Sequence, residues 1–180
     1  MNIYINPAFH RHQDEAFLVG RLLSGFGELE FLVLENARRA TNNVRMPFLR
    51  AMYRLRATSA RLSAADAFIR PVCETFALEG EYEIISSAIS HCLKIRIQFS
   101  HCNWGDDKNF PDSGLFFIDL ETAFEDPEDH ELHWRHVDVT LLTKQYKYFV
   151  YTLESLRWIN RELMIRQAIV QGRLGQNPQY

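Results

Sequence analysis

The sequence predicts an all-α fold, an up-and-down bundle of four to five helices that carries a short β-hairpin-like insert around 112–138. Three observations support this prediction. Apolar residues recur every three to four positions along several long stretches, glycine and proline gather in one region outside them, and 47% apolar with 13% aromatic residues supply a core. We expect a single helical domain over residues 1–171 and a disordered tail over 172–180.

The first helix is predicted over residues 14–41, because its apolar residues form one helical stripe: Phe17, Leu18, Leu22, Phe26, Leu29, Val33 and Ala37. A second helical stretch begins at Met46 and Pro47, since proline is tolerated in the first turn of a helix. We expect Pro71 to kink or end this stretch, and Gly80 to stop the helical segment that follows.

The third helix is predicted over "EYEIISSAISHCLKIRIQFSHC", and the helical pattern then breaks between Asn103 and Asp138. Within that region the runs "LFFIDL" and "ELHWRHVDV" alternate as strands do and predict a small hairpin. A last helix begins after an N-cap at Asp138 or Thr140. Its inner side is predicted to carry Leu141, Tyr148, Leu156, Ile159 and Leu163.

Charge is distributed unevenly along the chain. Eight arginines and one acidic residue lie between Arg38 and Arg70, whereas eleven acidic and two basic residues lie between Asp106 and Asp138. The first region suits a polyanion such as RNA, and Arg50 and Arg54 are candidate RNA-binding residues there. Alternatively, the two regions neutralise each other in the fold or across an oligomer.

The sequence disfavours a disulfide-stabilised protein, a membrane-spanning protein and a metal-binding protein. Three widely spaced cysteines do not suggest a disulfide framework, and no apolar run reaches the roughly 18 residues of a membrane helix. We therefore expect a cytoplasmic protein without membrane contact or cofactor. His130, His133 and His136 are spaced three apart, but the surrounding pattern is that of a strand, so we predict no metal site.

The third helix has two apolar faces. Ile84, Ile85, Ala88, Cys92, Ile95 and Phe99 fall within one arc, which we expect to pack into the bundle. Ile89, Leu93 and Ile97 form a second stripe, which Trp104 continues. A second copy of the chain is the simplest cover for this stripe, and these residues are the predicted homodimer interface. Burial by the insert or by the last helix is the alternative.

Arg96 and His101 flank this second stripe, about 140° apart on a helical wheel. In a dimer two arginines and two histidines would line one cleft. A histidine near neutral pKa can accept the 2′-hydroxyl proton of RNA, and a guanidinium stabilises the charge that builds on the phosphate. Gln98 and Ser100 are candidates for orienting the RNA.

These residues resemble a known motif. "RIQFSH" fits the Arg-x4-His pattern of HEPN domains, which keep it late in a long helix of a small bundle. The wider context, "HCLKIRIQFSHCNW" followed by "GLFFIDL" and "WRHVDVTLL", is similar to uncharacterised bacterial proteins with that motif. The resemblance implies a dimer whose motif helices meet and a metal-independent endoribonuclease of the toxin or defence type. It also implies an antitoxin or nucleotidyltransferase partner, with Arg96 and His101 as the catalytic pair.

Ile97 departs from that pattern, because the residue after the arginine is usually polar in active members. This departure favours a second hypothesis: a catalytically silent HEPN-like dimer that binds RNA, a nucleotide or a protein partner.

Overall fold

The computed structural model describes residues 6–42, 45–107, 114–119 and 134–172. Within them the chain is mostly helical with a small three-stranded antiparallel sheet, which confirms the predicted class at this level. The helices are α1 (Pro7–Arg11), α2 (Gln13–Ala40), α3 (Arg45–Tyr53), α4 (Thr58–Thr75), α5 (Glu79–Ser100) and α6 (Val139–Val170). The strands are β1 (Cys102–Gly105), β2 (Leu115–Asp119) and β3 (Arg135–Val137). Most of the predicted tail, from residue 173 onward, lies outside the described residues.

The chain divides into two compact units. The first comprises Met1–Phe26 and Cys92–Val150, and the second comprises Gly27–His91 and Tyr151–Tyr180. The three long helices α2, α5 and α6 therefore each contribute one part to each unit. None of the described helices combines the length and the apolar character that a membrane span requires.

The first unit contains the sheet, in the order β1–β2–β3 with both pairs antiparallel. The pairing of β2 with β3 confirms the predicted hairpin, whereas β1 was not predicted. Gly114 precedes β2 with φ +96°, and a Cβ there would lie 2.6 Å from the carbonyl oxygen of Val137. Only glycine fits this close approach of two backbones. Leu115, Phe117 and Val137 are buried beneath the sheet.

In the second unit, the predicted second helix is two helices, α3 and α4, separated at residues 54–57. Turn hydrogen bonds from the backbone N–H of Arg54 and of Leu55 close the end of α3. The Arg61 guanidinium then donates to the carbonyls of Leu55 (2.6 Å) and Arg56 (2.9 Å), and it also pairs with Glu30 of α2. Arg61 thus provides hydrogen-bond donors for two backbone carbonyls between α3 and α4. The periodicity of apolar residues gives no indication of such a contact, so the break was not predicted.

Pro71 does not end its segment, because α4 continues through it to Thr75. The helix ends where Ala77 adopts φ +53° and the N–H of Leu78 donates to the carbonyl of Cys73 (2.9 Å). Gly80 was expected to stop a helix, but it lies instead in the first turn of α5.

The last helix begins as predicted. Asp138 is its N-cap, because its carboxylate accepts from the N–H of Leu141 at 2.7 Å. The predicted inner side is correct for Leu156, Ile159 and Leu163, which are buried, but wrong for Leu141 (41% exposed) and Tyr148 (36% exposed). Leu142 and Phe149 are buried in their place, so the prediction was one residue out of phase over the first half of the helix.

Two further side chains of the predicted core face solvent. Phe17 of α2 is 62% exposed and Ile84 of α5 is 61% exposed. The remaining members of the packed arc of α5, from Ile85 to Phe99, are buried, and so is Ile89. The buried face of α5 is therefore wider than one stripe and displaced toward Ile89.

Candidate functional site

The Arg-x4-His motif lies where α5 ends and β1 begins. Arg96 is half-buried in the last turns of α5, and His101 is the exposed residue between Ser100 and β1. The Ser100 hydroxyl donates to the carbonyl of Ile97 (3.0 Å), and the Cys102 thiol donates to the carbonyl of Phe99 (3.4 Å). Side chains therefore satisfy two carbonyls that the helix end leaves without intrahelical partners.

An aromatic cluster fixes this junction in the first unit. Trp104 of β1 contacts Phe99 of α5, Phe117 of β2 and Phe9 of α1, with ring centroids 5.3, 5.3 and 5.4 Å apart. Phe99 and Phe117 meet edge to face at 5.5 Å. Such contacts add to the free energy of burial of the rings. The backbone on both sides of His101 is consequently anchored, while its own side chain stays exposed.

A polar contact holds the other end of β1. Arg11 donates to both carboxylate oxygens of Asp106, one of them at 2.6 Å, and the Asn6 amide donates to the carbonyl of Trp104 (3.1 Å). The hydrogen bond from Arg11 lowers the pKa of the Asp106 carboxyl. His12 is 7% exposed, and its Nε2 lies 3.9 Å from Asp106 with no hydrogen-bond partner among the described residues. Sequence reasoning missed these residues, because nothing local relates them to β1.

Arg96 and His101 form no hydrogen bond or ion pair within the part of the chain that the structure describes. Several other arginines are engaged. Arg11 binds Asp106, Arg61 binds Glu30, and Arg70 binds Asp66 and Glu83. The guanidinium of Arg96 is thus available to an anionic ligand, and so is the imidazole of His101.

The other predicted RNA-binding or RNA-orienting residues differ in their exposure and in their hydrogen bonding. Gln98 is half-buried on α5, and the hydroxyl of Ser100 is engaged with the backbone as described above. Arg50 of α3 and Arg54 just after it are exposed and belong to the second unit.

The basic region is partly neutralised within the second unit. Glu35 of α2 is buried and accepts hydrogen bonds from Arg38 (2.7 and 2.9 Å) and Arg39 (3.0 Å), with Arg45 at 3.7 Å. The hydrogen bond from Arg38 is the main reason why the pKa of the Glu35 carboxyl is lowered. Five of the eight arginines carry ion pairs with acidic residues of the second unit, and Arg50, Arg54 and Arg56 carry none within the described residues.

The four predicted dimer-interface residues do not share one environment. Ile89 is buried (6% exposed), Leu93 is half-buried, and Ile97 is 44% exposed. Trp104 lies on β1 rather than on the helix, and its ring packs inside the aromatic cluster. Of these four residues, therefore, Ile97 is the one that leaves a large apolar surface exposed to solvent in a single protomer.

Two of the three thiols are unsuited to nucleophilic catalysis at neutral pH. Burial raises the pKa of Cys73 and that of Cys102 to about 12, so both stay protonated. Among the described residues no cluster of three or more His, Cys, Asp or Glu side chains could hold a metal. His130 and His133 lie outside these residues, and the ring of His136 contacts that of Phe116 in a tilted arrangement with centroids 5.1 Å apart.

Comparisons with protein-family models, curated proteins and solved structures find no match to this chain. The resemblance to HEPN domains therefore stays a prediction that depends on the motif and its position in the helical order.

Proposed function

We propose that the protein is a homodimeric, HEPN-like, metal-independent endoribonuclease of the toxin or defence type. Arg96 and His101 of both protomers line its cleft. One observation carries the proposal: a guanidinium and an imidazole that make no hydrogen bond or ion pair with any described residue lie at a helix end whose backbone is anchored by aromatic packing. A reactive group needs a fixed backbone and access to substrate, and at this junction the backbone is anchored by the aromatic cluster while both side chains remain open to a ligand.

The chemistry uses the RNA's own nucleophile. The imidazole of His101 accepts the proton of a 2′-hydroxyl, and the resulting oxygen attacks the adjacent phosphorus. Arg96 donates paired hydrogen bonds to the phosphate oxygens, which gain charge in the transition state. The 5′-oxygen leaves with a proton from protonated His101 of the partner subunit. The products carry a 2′,3′-cyclic phosphate and a 5′-hydroxyl.

Binding of RNA to the protein draws on charge outside the cleft. Arg50, Arg54 and Arg56 are exposed and carry no ion pair in the described chain, so they can contact phosphates without first breaking an internal contact. Gln98 lies between the two catalytic residues on α5 and can orient a phosphate or ribose. Such contacts are independent of base sequence, and their strength falls as salt rises.

The test is cleavage of mixed cellular RNA by the purified protein in EDTA, with analysis of the product ends. Arg96→Ala and His101→Ala should each lower the cleavage rate about a hundredfold or more. Arg161→Ala is the matched control, because Arg161 is an exposed helical arginine that also lacks an ion pair in the described chain. This variant should cleave like the wild type. Activity that survives in both Arg96→Ala and His101→Ala, or that disappears in EDTA, would contradict the proposal.

A second function is favoured by Ile97, which is apolar and 44% exposed next to Arg96. The position after the arginine is usually polar in active HEPN-like members, so an apolar side chain there favours a catalytically silent dimer that binds RNA, a nucleotide or a protein partner such as an antitoxin or nucleotidyltransferase. RNA binding that is weakened by Arg96→Ala, without cleavage by any variant, would support this function over the first.

A further inference from the structure

A groove of about 350 Å³ lies on the second unit, between α5 and α6. Its volume is at the lower end of the range for ligand pockets, which suits one or two side chains rather than a large cofactor. The groove is lined by Glu81, Ile84 and Ile85 of α5 and by Tyr151, Glu154, Ser155 and Trp158 of α6.

The apolar walls of this groove are open to solvent. Ile84 is 61% exposed, Tyr151 is 50% exposed and Trp158 is 39% exposed. Single exposed apolar side chains are ordinary on protein surfaces, but a phenol, an indole and an isoleucine around one depression form a contiguous patch. Aromatic side chains in such patches are typical anchors of protein interfaces.

The two carboxylates give the groove its electrostatic character. Glu81 and Glu154 make no hydrogen bond or ion pair with any described residue. Other glutamates of the same unit do bind arginines, as in the pair of Glu28 with Arg157 at 2.7 Å and of Glu83 with Arg70 at 2.6 Å. The negative faces of the rings add to the charge of the carboxylates, so the groove attracts a cation and repels phosphate.

We propose that this groove binds a basic segment of a protein partner. An arginine or lysine side chain would lie over Trp158 and Tyr151, with its charged group between Glu81 and Glu154. An adjacent apolar side chain of the partner would cover Ile84. The face is less suited to a second copy of this chain. A two-fold contact between α6 helices centred on this groove would bring Glu154 close to its own copy, and like charges in an interface are unfavourable.

Two fifteen-residue helical peptides test the proposal on the intact 180-residue chain. They share one leucine stripe and differ only in carrying arginine or citrulline beside it, since citrulline keeps the shape of arginine without its charge. Binding is measured by fluorescence anisotropy. We expect the wild type to bind the arginine peptide at least about tenfold more tightly than the citrulline peptide, which corresponds to about 1.4 kcal/mol.

The variants separate charge from stacking. Glu81→Gln with Glu154→Gln should bring the two peptides to within about twofold of each other, whereas Trp158→Leu should weaken the arginine peptide several-fold. Glu28→Gln with Glu74→Gln is the matched control. It removes the same charge from exposed glutamates outside the groove, and it should leave the preference unchanged.

Four outcomes would overturn the proposal. The first two are equal binding of both peptides and a preference that survives Glu81→Gln with Glu154→Gln. The third is a lower sedimenting mass in Trp158→Leu, which would assign the face to self-association. The fourth is a polyuridine RNA whose binding is lost in Trp158→Leu, which would assign the groove to nucleic acid. These results do not depend on Arg96 and His101, so the proposed ribonuclease can fail or succeed separately.

Discussion

Glu35 provides a quantitative test of the second unit's ionic core. Its side chain is 7% exposed and both carboxylate oxygens accept from Arg38, whose side chain is 18% exposed. Hydrogen bonds to charged groups contribute about 1.5–3 kcal/mol each, but Arg39 and Arg45 are 40% and 59% exposed and contribute little after solvent screening. Counting the paired contact with Arg38 as the main term, Glu35→Gln should lower the free energy of unfolding by about 2–3 kcal/mol. For a chain of this size that corresponds to a melting temperature roughly 5–10 °C lower.

The effect should depend on pH in a defined direction. Because the pKa of Glu35 is lowered in the folded protein, its contribution is present above the ordinary value of 4.5 and is lost as pH falls through the folded pKa. Urea unfolding of wild type and variant should therefore differ at about pH 7, and the difference should shrink progressively as the pH falls below 4.5. Glu28→Gln is the control on the same helix, because Glu28 and Arg157 are 59% and 53% exposed. It should cost less than about 1 kcal/mol. A Glu35→Gln variant as stable as the wild type at neutral pH would refute this reasoning.

Three further predictions concern the dimer interface, the aromatic cluster and two of the thiols. Ile97→Glu should reduce the sedimenting mass without unfolding the chain if the homodimer forms through α5, and a wild type that sediments as a monomer contradicts that interface. Trp104→Ala should destabilise the protomer by about 2–4 kcal/mol in urea, since its ring contacts three others, and an unchanged midpoint would argue against the aromatic anchor. Cys73 and Cys102 should resist iodoacetamide at neutral pH and react fully in urea, as followed by mass spectrometry; rapid labelling of the native protein would contradict their raised pKa.

Local periodicity was sufficient for the elements that bury one regular face. The helix α2, the N-cap at Asp138 and the pairing of β2 with β3 follow from residues close together in sequence. The break between α3 and α4 does not, because Arg61 reaches Glu30, 31 positions earlier. The strand β1 was missed for a similar reason: four residues form a strand there only because β2 supplies the hydrogen-bonding partner.

The candidate site was predictable to the same extent. Residue type and spacing identified Arg96 and His101, and the structure leaves both without internal partners in the described chain. The pair of Arg11 with Asp106, 95 positions apart, could not be read from any local pattern. The exposure of the second apolar stripe was overestimated. A helical wheel places Ile89 outside the packed arc of α5, whereas tertiary packing buries its side chain.

The pairing of β2 with β3 also bears on the sign of the protein's charge. Phe117, near the end of β2, is the cross-strand partner of Arg135, the first residue of β3. The end of β2 and the start of β3 therefore lie on adjacent strands, which are about 5 Å apart. A turn of a few residues could join them in place of residues 120–133. That stretch holds six acidic residues and no lysine or arginine, so its replacement by a neutral turn would change the formal net charge from -3 to +3. The chain is therefore anionic because of the acidic residues of this one stretch, and replacing the stretch by a neutral turn would give a cationic chain with stronger long-range attraction to polyanions.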